Sequence, residues 1–211
     1  MTFQLPRIYP ITDRRLSGIS HTEQVTRLAD AGAAFIQIRE KYLSSGEFYA
    51  EAAKALEFAR TRGIRVIIND RVDIALLLGA AGVHLGQQDL PPDAARKLLG
   101  ADAIIGYSTH TLEQAMEAVK MPVDYIAFGP IFPTTTKEDP DPTVGLELLR
   151  QIREATNNIP LVAIGGITRQ NAVSVFEAGA DSVAVISDLI SDPAAIFSKF
   201  AELNDLKSPG T

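Results

Sequence analysis

The chain has 211 residues, of which 46% are hydrophobic, and this length and composition are typical of one globular domain. It contains no cysteine, which excludes disulfides, thiolate metal sites and a cysteine nucleophile. Its net charge of −6 argues against a nucleic-acid partner, because binding to phosphates requires a basic face. There is no apolar stretch of membrane-spanning length and no signal-peptide pattern, so we predict a cytoplasmic protein without membrane attachment.

Eight short apolar runs, rich in β-branched residues, recur along the chain, and each ends in polar or glycine residues. They cover residues 8–13, 35–40, 66–70, 83–86, 104–108, 125–130, 161–166 and 182–187. Strands that are buried on both faces of a parallel sheet have this nearly continuous apolar pattern. Because a helical pattern follows each run, the sequence predicts a (β/α)8 TIM barrel over residues 1–206 and a flexible tail over 207–211.

Signals for helix boundaries lie between the runs. Ser20 and Ser44 each stand three residues before a glutamate, which matches the capping box at a helix start. Gly79 and Gly179 stand where a helix would end in a left-handed conformation. A barrel of this kind places its chemistry at the carboxyl ends of the strands, so the residues that close each run are the first candidates for a site.

The second run carries Gln37, Arg39 and Lys41 at alternate positions, and a strand would point all three side chains the same way. An amide and two cations at the mouth of a barrel are typical of a receptor for a polyanion such as a phosphate ester. Alternatively, Lys41 lies just past the strand and is only solvated, as most lysines are.

Acidic residues close the third run and follow the fourth. Asp70 comes after Asn69, and Asp89 follows residues 83–86. Two carboxylates at neighbouring strand ends, without cysteine or clustered histidine, favour Mg²⁺, which takes few carboxylates and completes its shell with water and phosphate. The alternative is that either acid caps the following helix.

A second candidate anion site lies at the seventh and eighth runs. Gly165 and Gly166 end one run and Ser187 ends the next. In many barrels the loops after these two strands bind phosphate through backbone N–H groups. Glycine has no side chain, so the ligand can approach these N–H groups closely. Two separate anion sites predict two phosphorylated small-molecule substrates.

A long polar loop, residues 129–142, follows the sixth run. Thr134, Thr136 and Lys137 could donate to phosphate oxygens if this loop closes over the barrel mouth. The alternative is a solvated loop without a ligand.

The histidines and Ser108 give weaker signals. His84 lies inside an apolar run and is predicted to be a hydrogen-bonded core residue, whereas His21 lies near a helix start and is predicted to be exposed. His110 could act as a general acid or base, although a supporting hydrogen bond is the favoured interpretation. Ser108 has no Ser-His-Asp partner set, so we interpret it as a hydrogen-bonding residue.

From about Tyr9 to Leu189 the chain resembles the thiamine-phosphate synthase family. The similar segments are residues 37–41, 69–71, 84–89, 106–108, 129–137 and 163–167. The resemblance implies that hydroxymethylpyrimidine diphosphate is bound by Gln37, Ile38, Arg39, Glu40, Lys41, Asn69, Ser108 and Lys137. It implies that the thiazole phosphate is bound by Thr134, Thr135, Thr136, Gly166, Ile186 and Ser187. It also implies that Asp70 and Asp89 hold Mg²⁺.

The reaction implied by this resemblance needs no general base. Diphosphate leaves the pyrimidine methylene with help from Mg²⁺, Arg39, Lys41 and Lys137, and the predicted catalytic residues are these three cations and Ser108. The thiazole nitrogen, whose lone pair is free, then attacks the carbocation. The absence of a convincing acid–base pair agrees with this scheme.

Two other functions stay open on the sequence alone. A thiazole tautomerase on the same fold would use His110 to move a proton, but it should not need the paired acids and the cations. A sensor that binds phosphorylated ligands without catalysis is the second alternative. Asp188 departs from the family, which usually has a small residue there, and an apolar helix face leaves a homodimer open.

Overall fold

The apolar runs form parallel strands that close into one barrel, which confirms the predicted (β/α)8 fold. The computed structural model describes residues 4–136, 141–156 and 159–206. Its strands are β1 (Ile8–Asp13), β2 (Phe35–Arg39), β3 (Arg65–Asn69), β4 (Gly82–Leu85), β5 (Ile104–Thr109), β6 (Tyr125–Phe128), β7 (Leu161–Ile164) and β8 (Ser182–Val185). Each strand pairs in parallel with the next, and β8 pairs with β1 to close the barrel.

Helices cover the outside of the barrel. They are α1 (Arg14–Ser17), α2 (His21–Asp30), α3 (Ser45–Thr61), α4 (Val72–Leu78), α5 (Pro92–Leu99), α6 (Leu112–Ala118), α7 (Gly145–Thr156), α8 (Ala172–Glu177), α9 (Ser187–Ile190) and α10 (Ile196–Asn204), with a 3₁₀ turn at Pro193–Ala195. Ser44 completes a capping box with Glu47 at the start of α3, and Gly79 ends α4 at φ 57°. None of the helices in the described ranges is both long and apolar enough to span a bilayer.

Alternation along the strands divides the core into two parts. Tyr9, Phe35 and Tyr125 belong to a cluster that fills the barrel interior, below the mouth. Ile38 and Ile68 belong to the larger cluster between the strands and the helices. The interior cluster therefore forms the floor on which any site at the mouth rests.

Several strands end earlier than the apolar runs. β2, β3 and β4 stop one residue before the predicted end, and β6, β7 and β8 stop two residues before it. Asp70, Gly165 and Gly166 have φ values of 60°, 96° and 63°, which no β-strand can contain. These three residues thus leave the sheet and form part of the loops of the mouth.

Candidate active site

A cavity of about 760 Å³ opens at the carboxyl ends of the strands. This is the face on which barrels of this kind carry their sites. The sequence-predicted residues that line it are Gln37, Arg39, Lys41, Asn69, Asp70, Asp89, Ser108, Thr134, Thr136, Gly166, Ile186 and Ser187. Residues from most parts of the chain thus meet at one cavity.

Three residues that the family resemblance implies as ligand contacts lie elsewhere. Ile38 is buried in the cluster between strands and helices, and Thr135 is exposed outside the cavity. Glu40 turns back and accepts a hydrogen bond from the Tyr42 N–H at 2.7 Å. Successive strand residues face opposite sides, so the side chains of Ile38 and Glu40 must turn away when their neighbours turn in. Lys137 lies outside the described residues.

The cations at the end of β2 are already paired with carboxylates. Gln37, Arg39 and Lys41 all line the cavity, as their alternation predicts. Arg39 donates to Asp13 at the end of β1, and Lys41 donates to Asp70 at the end of β3. Lys41 is therefore not simply solvated, although its side chain is 43% exposed.

The two acids do not cap the helices that follow them. The residue that precedes α4 is Arg71, and the residue that precedes α5 is Pro91. Instead, Asp89 Oδ2 accepts a hydrogen bond from the Gly86 N–H at 2.7 Å, and Asp70 adopts a left-handed backbone. A non-glycine residue at positive φ is uncommon, and such strain often occurs at functional sites. We call Arg39, Lys41, Asp70 and Asp89 the charged wall.

Two neighbouring carboxylates shape the electrostatics of the charged wall. Burial raises the pKa of the Asp89 carboxyl, and the adjacent Asp70 raises it further, while the Gly86 N–H lowers it. A bound cation would relieve this repulsion between the carboxylates. In the described residues no three side chains of histidine, cysteine, aspartate or glutamate are grouped to hold a metal. A metal at this wall would therefore take two carboxylates, which is the donor set that Mg²⁺ commonly accepts.

His84 is a buried, hydrogen-bonded residue, as predicted, and it also lines the cavity. Its Nε2 lies 2.8 Å from Ser108 Oγ, and its Nδ1 lies 2.9 Å from the Tyr125 hydroxyl. Burial lowers the pKa of His84 to about 4, so the ring is neutral near pH 7. The sequence analysis missed Tyr9 and Tyr125, although a tyrosine inside a barrel needs a partner for its hydroxyl.

The prediction that His21 is exposed is wrong. Its ring is fully buried, with Nδ1 2.8 Å from Thr12 Oγ1 and Nε2 3.1 Å from Glu40 Oε2. His21 is the first residue of α2, directly after the N-cap residue Ser20, and its ring packs inward toward β1 and the end of β2. This contact explains why Glu40 faces away from the cavity.

His110 has the supporting hydrogen bond that the sequence favours. Its Nδ1 donates to the Gly129 carbonyl at 2.6 Å, since a carbonyl only accepts. Its Nε2 lies 3.6 Å from Asp141 Oδ2. The ring thereby links the end of β5 to the loop after β6.

The opposite side of the mouth is built from backbone. A Cβ on Gly165 would lie 2.4 Å from Pro130 Cα, and one on Gly166 would lie 2.5 Å from the Pro133 oxygen. Only glycine fits at either position, because positive φ and close contact both exclude a side chain. We call Gly165, Gly166, Ile186 and Ser187 the glycine wall.

Asp188, beside the glycine wall, is paired with Arg169. Its Oδ2 accepts hydrogen bonds from the backbone N–H and the Nε of Arg169, at 3.2 and 3.0 Å. Arg169 therefore offsets part of this negative charge, and it also pairs with Glu202. The residue that departs from the family pattern thus has an ion-pair partner of its own.

Comparisons with known proteins agree on one family. Residues 8–189 match the family model described as thiamine monophosphate synthase. The thiamine-phosphate synthase of Koribacter versatilis is 44% identical over 205 residues, which cover 95% of this chain and 96% of that protein. The enzyme of the same name from Methanospirillum hungatei is 47% identical over 199 residues, which cover 93% and 96% of the two chains.

Solved structures give the same picture. Thiamine phosphate pyrophosphorylase from Pyrococcus furiosus superposes with a TM-score of 0.83 at 38% identity, and the match covers 93% of each chain. A structure described as native KDPGal has a TM-score of 0.70 at 17% identity, which shows the shared fold alone.

Proposed function

Because the chain belongs to the thiamine monophosphate synthase family, we propose that it joins hydroxymethylpyrimidine diphosphate to hydroxyethylthiazole phosphate and releases pyrophosphate. It is a transferase that forms a C–N bond and makes thiamine phosphate. The observation that best supports the choice of substrates is the pairing of a charged wall with a glycine wall across one cavity. The glycine wall suits a phosphate directly, and the charged wall suits a diphosphate once a metal ion offsets its carboxylates, which matches two phosphorylated substrates.

The cations of the charged wall stabilise the leaving diphosphate in this proposal. Ion pairs with Asp13 and Asp70 hold Arg39 and Lys41 at the cavity. Groups fixed in this way lower the energy of charge that develops in the transition state, which is usually the largest electrostatic contribution to catalysis. Lys137 is proposed as the third cation from the family motif alone.

Mg²⁺ fits the carboxylates of the charged wall. Asp13, Asp70 and Asp89 outnumber the cations Arg39 and Lys41, so this set alone does not attract a polyanion. Asp70 and Asp89 would hold the ion. When bound, Mg²⁺ supplies neutralisation of the diphosphate oxygens as a Lewis acid.

The remaining groups bind and orient the two rings. Gln37, Asn69 and Ser108 would contact the pyrimidine diphosphate, and Thr134 and Thr136 would reach the second phosphate from the loop after β6. The glycine wall would bind that phosphate through N–H groups of Gly166 and Ser187. Attack by the thiazole nitrogen needs no base, since its lone pair is free.

The test of this function is the release of pyrophosphate. The protein is mixed with Mg²⁺ and both substrates, and pyrophosphate and thiamine phosphate are measured together. We expect equal amounts of both products, and none when either substrate is omitted or when a chelator removes the metal. Pyrophosphate without thiamine phosphate would indicate hydrolysis. The absence of both products would contradict the proposal.

The same assay separates the alternatives. A tautomerase would isomerise a carboxylated thiazole phosphate and a sensor would only bind ligands, and neither would release pyrophosphate. We place the enzyme in the cytoplasm, acting on small phosphorylated molecules. A homodimer stays a prediction, which sedimentation of the full chain would check.

A further inference from the structure

A chain of hydrogen bonds crosses the interior of the barrel beneath the cavity. Gln37 Nε2 donates to the Tyr9 hydroxyl at 2.9 Å, and that hydroxyl lies 2.9 Å from the hydroxyl of Tyr125. Tyr125 in turn lies 2.9 Å from His84 Nδ1, and His84 Nε2 lies 2.8 Å from Ser108 Oγ. Both ends of this chain line the cavity, whereas Tyr9 and Tyr125 are buried below it. We call these five residues the interior chain.

Because Tyr9 and Tyr125 are buried and an unused hydroxyl hydrogen there would be costly, the interior chain runs in one of two directions. Each hydroxyl has one hydrogen to donate, and a neutral imidazole donates through one nitrogen and accepts through the other. If Gln37 donates at one end, Ser108 must accept from His84 and its own hydrogen is left for the cavity. If Ser108 donates to His84 instead, every bond reverses, and Gln37 must accept through its amide oxygen.

The two ends therefore cannot be set independently. In the first direction Gln37 keeps its amide oxygen, an acceptor, for a ligand, while Ser108 offers a donor. In the second direction Gln37 offers a donor and Ser108 offers an acceptor. At the amide atom that Gln37 turns away from Tyr9 and at the hydroxyl hydrogen of Ser108, each direction thus pairs one donor with one acceptor.

We propose that Tyr9 and Tyr125 are positioning residues that couple Gln37 to Ser108 and thereby select a heteroaromatic ring carrying one donor and one acceptor. An aminopyrimidine has this pair, in its amino group and the adjacent ring nitrogen. The choice of ring rests on the proposed function, but the coupling does not.

Gly106 supplies independent support for the interior chain. A Cβ at this position would lie 2.0 Å from Tyr125 Cζ and 2.5 Å from His84 Nδ1. The rings of His84 and Tyr125 stack there with centroids 5.5 Å apart. Glycine weakens the interior of a strand, yet here it leaves the space in which Tyr125 and His84 form their hydrogen bond.

The coupling is tested first without substrate, through the tautomer of His84 measured by nitrogen NMR of the full chain. With Gln37 donating, His84 carries its proton on Nε2. The substitution Gln37→Glu replaces the donor with a carboxylate that only accepts, so we expect the proton to move to Nδ1. Adding Tyr125→Phe breaks the chain, and the Gln37→Glu effect on His84 should then vanish. An unmoved tautomer in Gln37→Glu would overturn the coupling.

Selectivity is tested with unphosphorylated pyrimidine alcohols as binding probes. Replacing the amino group with an oxo group turns that donor into an acceptor and turns the adjacent ring nitrogen into a donor. Reversing the direction of the interior chain would satisfy this analogue. Replacing it with methoxy leaves two acceptors, which neither direction satisfies. The wild-type protein should therefore bind the oxo analogue about tenfold or more tightly than the methoxy analogue, because an unpaired buried group is costly.

Tyr125→Phe should bring this binding ratio close to one, since Gln37 and Ser108 could then each choose to donate or accept independently of the other. Thr156→Val is the matched control, because it removes another buried hydroxyl. Thr156 lies in α7, outside the interior chain, and its hydroxyl donates to the Ile152 carbonyl at 2.7 Å. It should lower stability and keep the wild-type ratio. An unchanged ratio in Tyr125→Phe would overturn the proposal, whereas failure of every pyrimidine to bind would contradict the proposed function and leave the NMR result to decide the coupling.

Discussion

The charged wall and the glycine wall face the same cavity but are built in opposite ways. On one side, Arg39 and Lys41 at the end of β2 carry full charges that are paired with Asp13 and Asp70. On the other side, Gly165 and Gly166 have no side chain, and the loop after β6 occupies the space where one would be. A change of residue type should therefore act on charge at the first wall and on shape at the second.

The largest expected effect is the loss of one carboxylate from the charged wall. Asp70→Asn keeps the size of the side chain and tolerates φ 60°, but it removes the charge that would hold Mg²⁺. We expect turnover to fall about 10²–10³-fold, as for loss of a key electrostatic group, and the Mg²⁺ requirement to rise. Asp89→Asn should behave alike, and the exposed Asp93→Asn should have no effect. Full activity of Asp70→Asn at limiting Mg²⁺ would remove Asp70 from the metal site.

The two cations should differ in what else they do. Lys41→Ala and Arg39→Ala should each lower kcat/KM by about 2–4 kcal/mol of transition-state stabilisation. Only Arg39→Ala should also destabilise the fold, because it leaves Asp13 buried without its partner, whereas the Lys41 pair is partly exposed. Denaturant unfolding beside steady-state kinetics would separate the effects. Equal stability of both variants would contradict this distinction.

Acid should lower the free energy of unfolding, because His84 is buried as a neutral ring. The folded protein keeps this ring neutral down to a pKa of about 4, while the unfolded chain takes up a proton near 6.5. The stabilisation is therefore complete above pH 6.5 and is lost as the pH falls toward 4, by on the order of 3 kcal/mol. Unfolding free energies across this range should fall less steeply for His84→Asn. Parallel curves would show that His84 does not titrate in this way.

At the glycine wall, Gly166→Ala should act through shape. Its φ of 63° costs an alanine about 1–2 kcal/mol, and its Cβ would also press on the Pro133 oxygen. Gly63→Ala is the matched control, because Gly63 has φ 68° and open space around it. Both variants should lose stability, but only Gly166→Ala should raise KM for the thiazole phosphate. A similar KM in both would mean that the close contact does not shape this wall.

The smallest effect is expected at Asp188. Arg169 binds its carboxylate from two directions, so Asp188→Asn should change KM for the thiazole phosphate by about twofold or less. A tenfold fall in KM would show that Asp188 does repel the phosphate.

The sequence predicted the parts of the molecule that depend on local patterns. Continuous apolar runs identify buried parallel strands, and alternation placed Gln37, Arg39 and Lys41 at the cavity. Local patterns did not predict the contact between His21 and Glu40, because it joins the first residue of α2 to the turn after β2. The bond between Tyr9 and Tyr125 spans 116 residues and depends on barrel closure, which no local pattern records.

The hydrogen bonds of Glu40 have a consequence for the entropy of ligand binding. Its carboxylate accepts from the N–H groups of Tyr42 and Leu43 and from the buried ring of His21, so the turn that carries Lys41 is tied to α2. Fixing the backbone of a free loop costs about 1–2 kcal/mol per residue. Here that conformational freedom is lost when the protein folds, so the turn beside the charged wall can meet a diphosphate without a further loss of disorder.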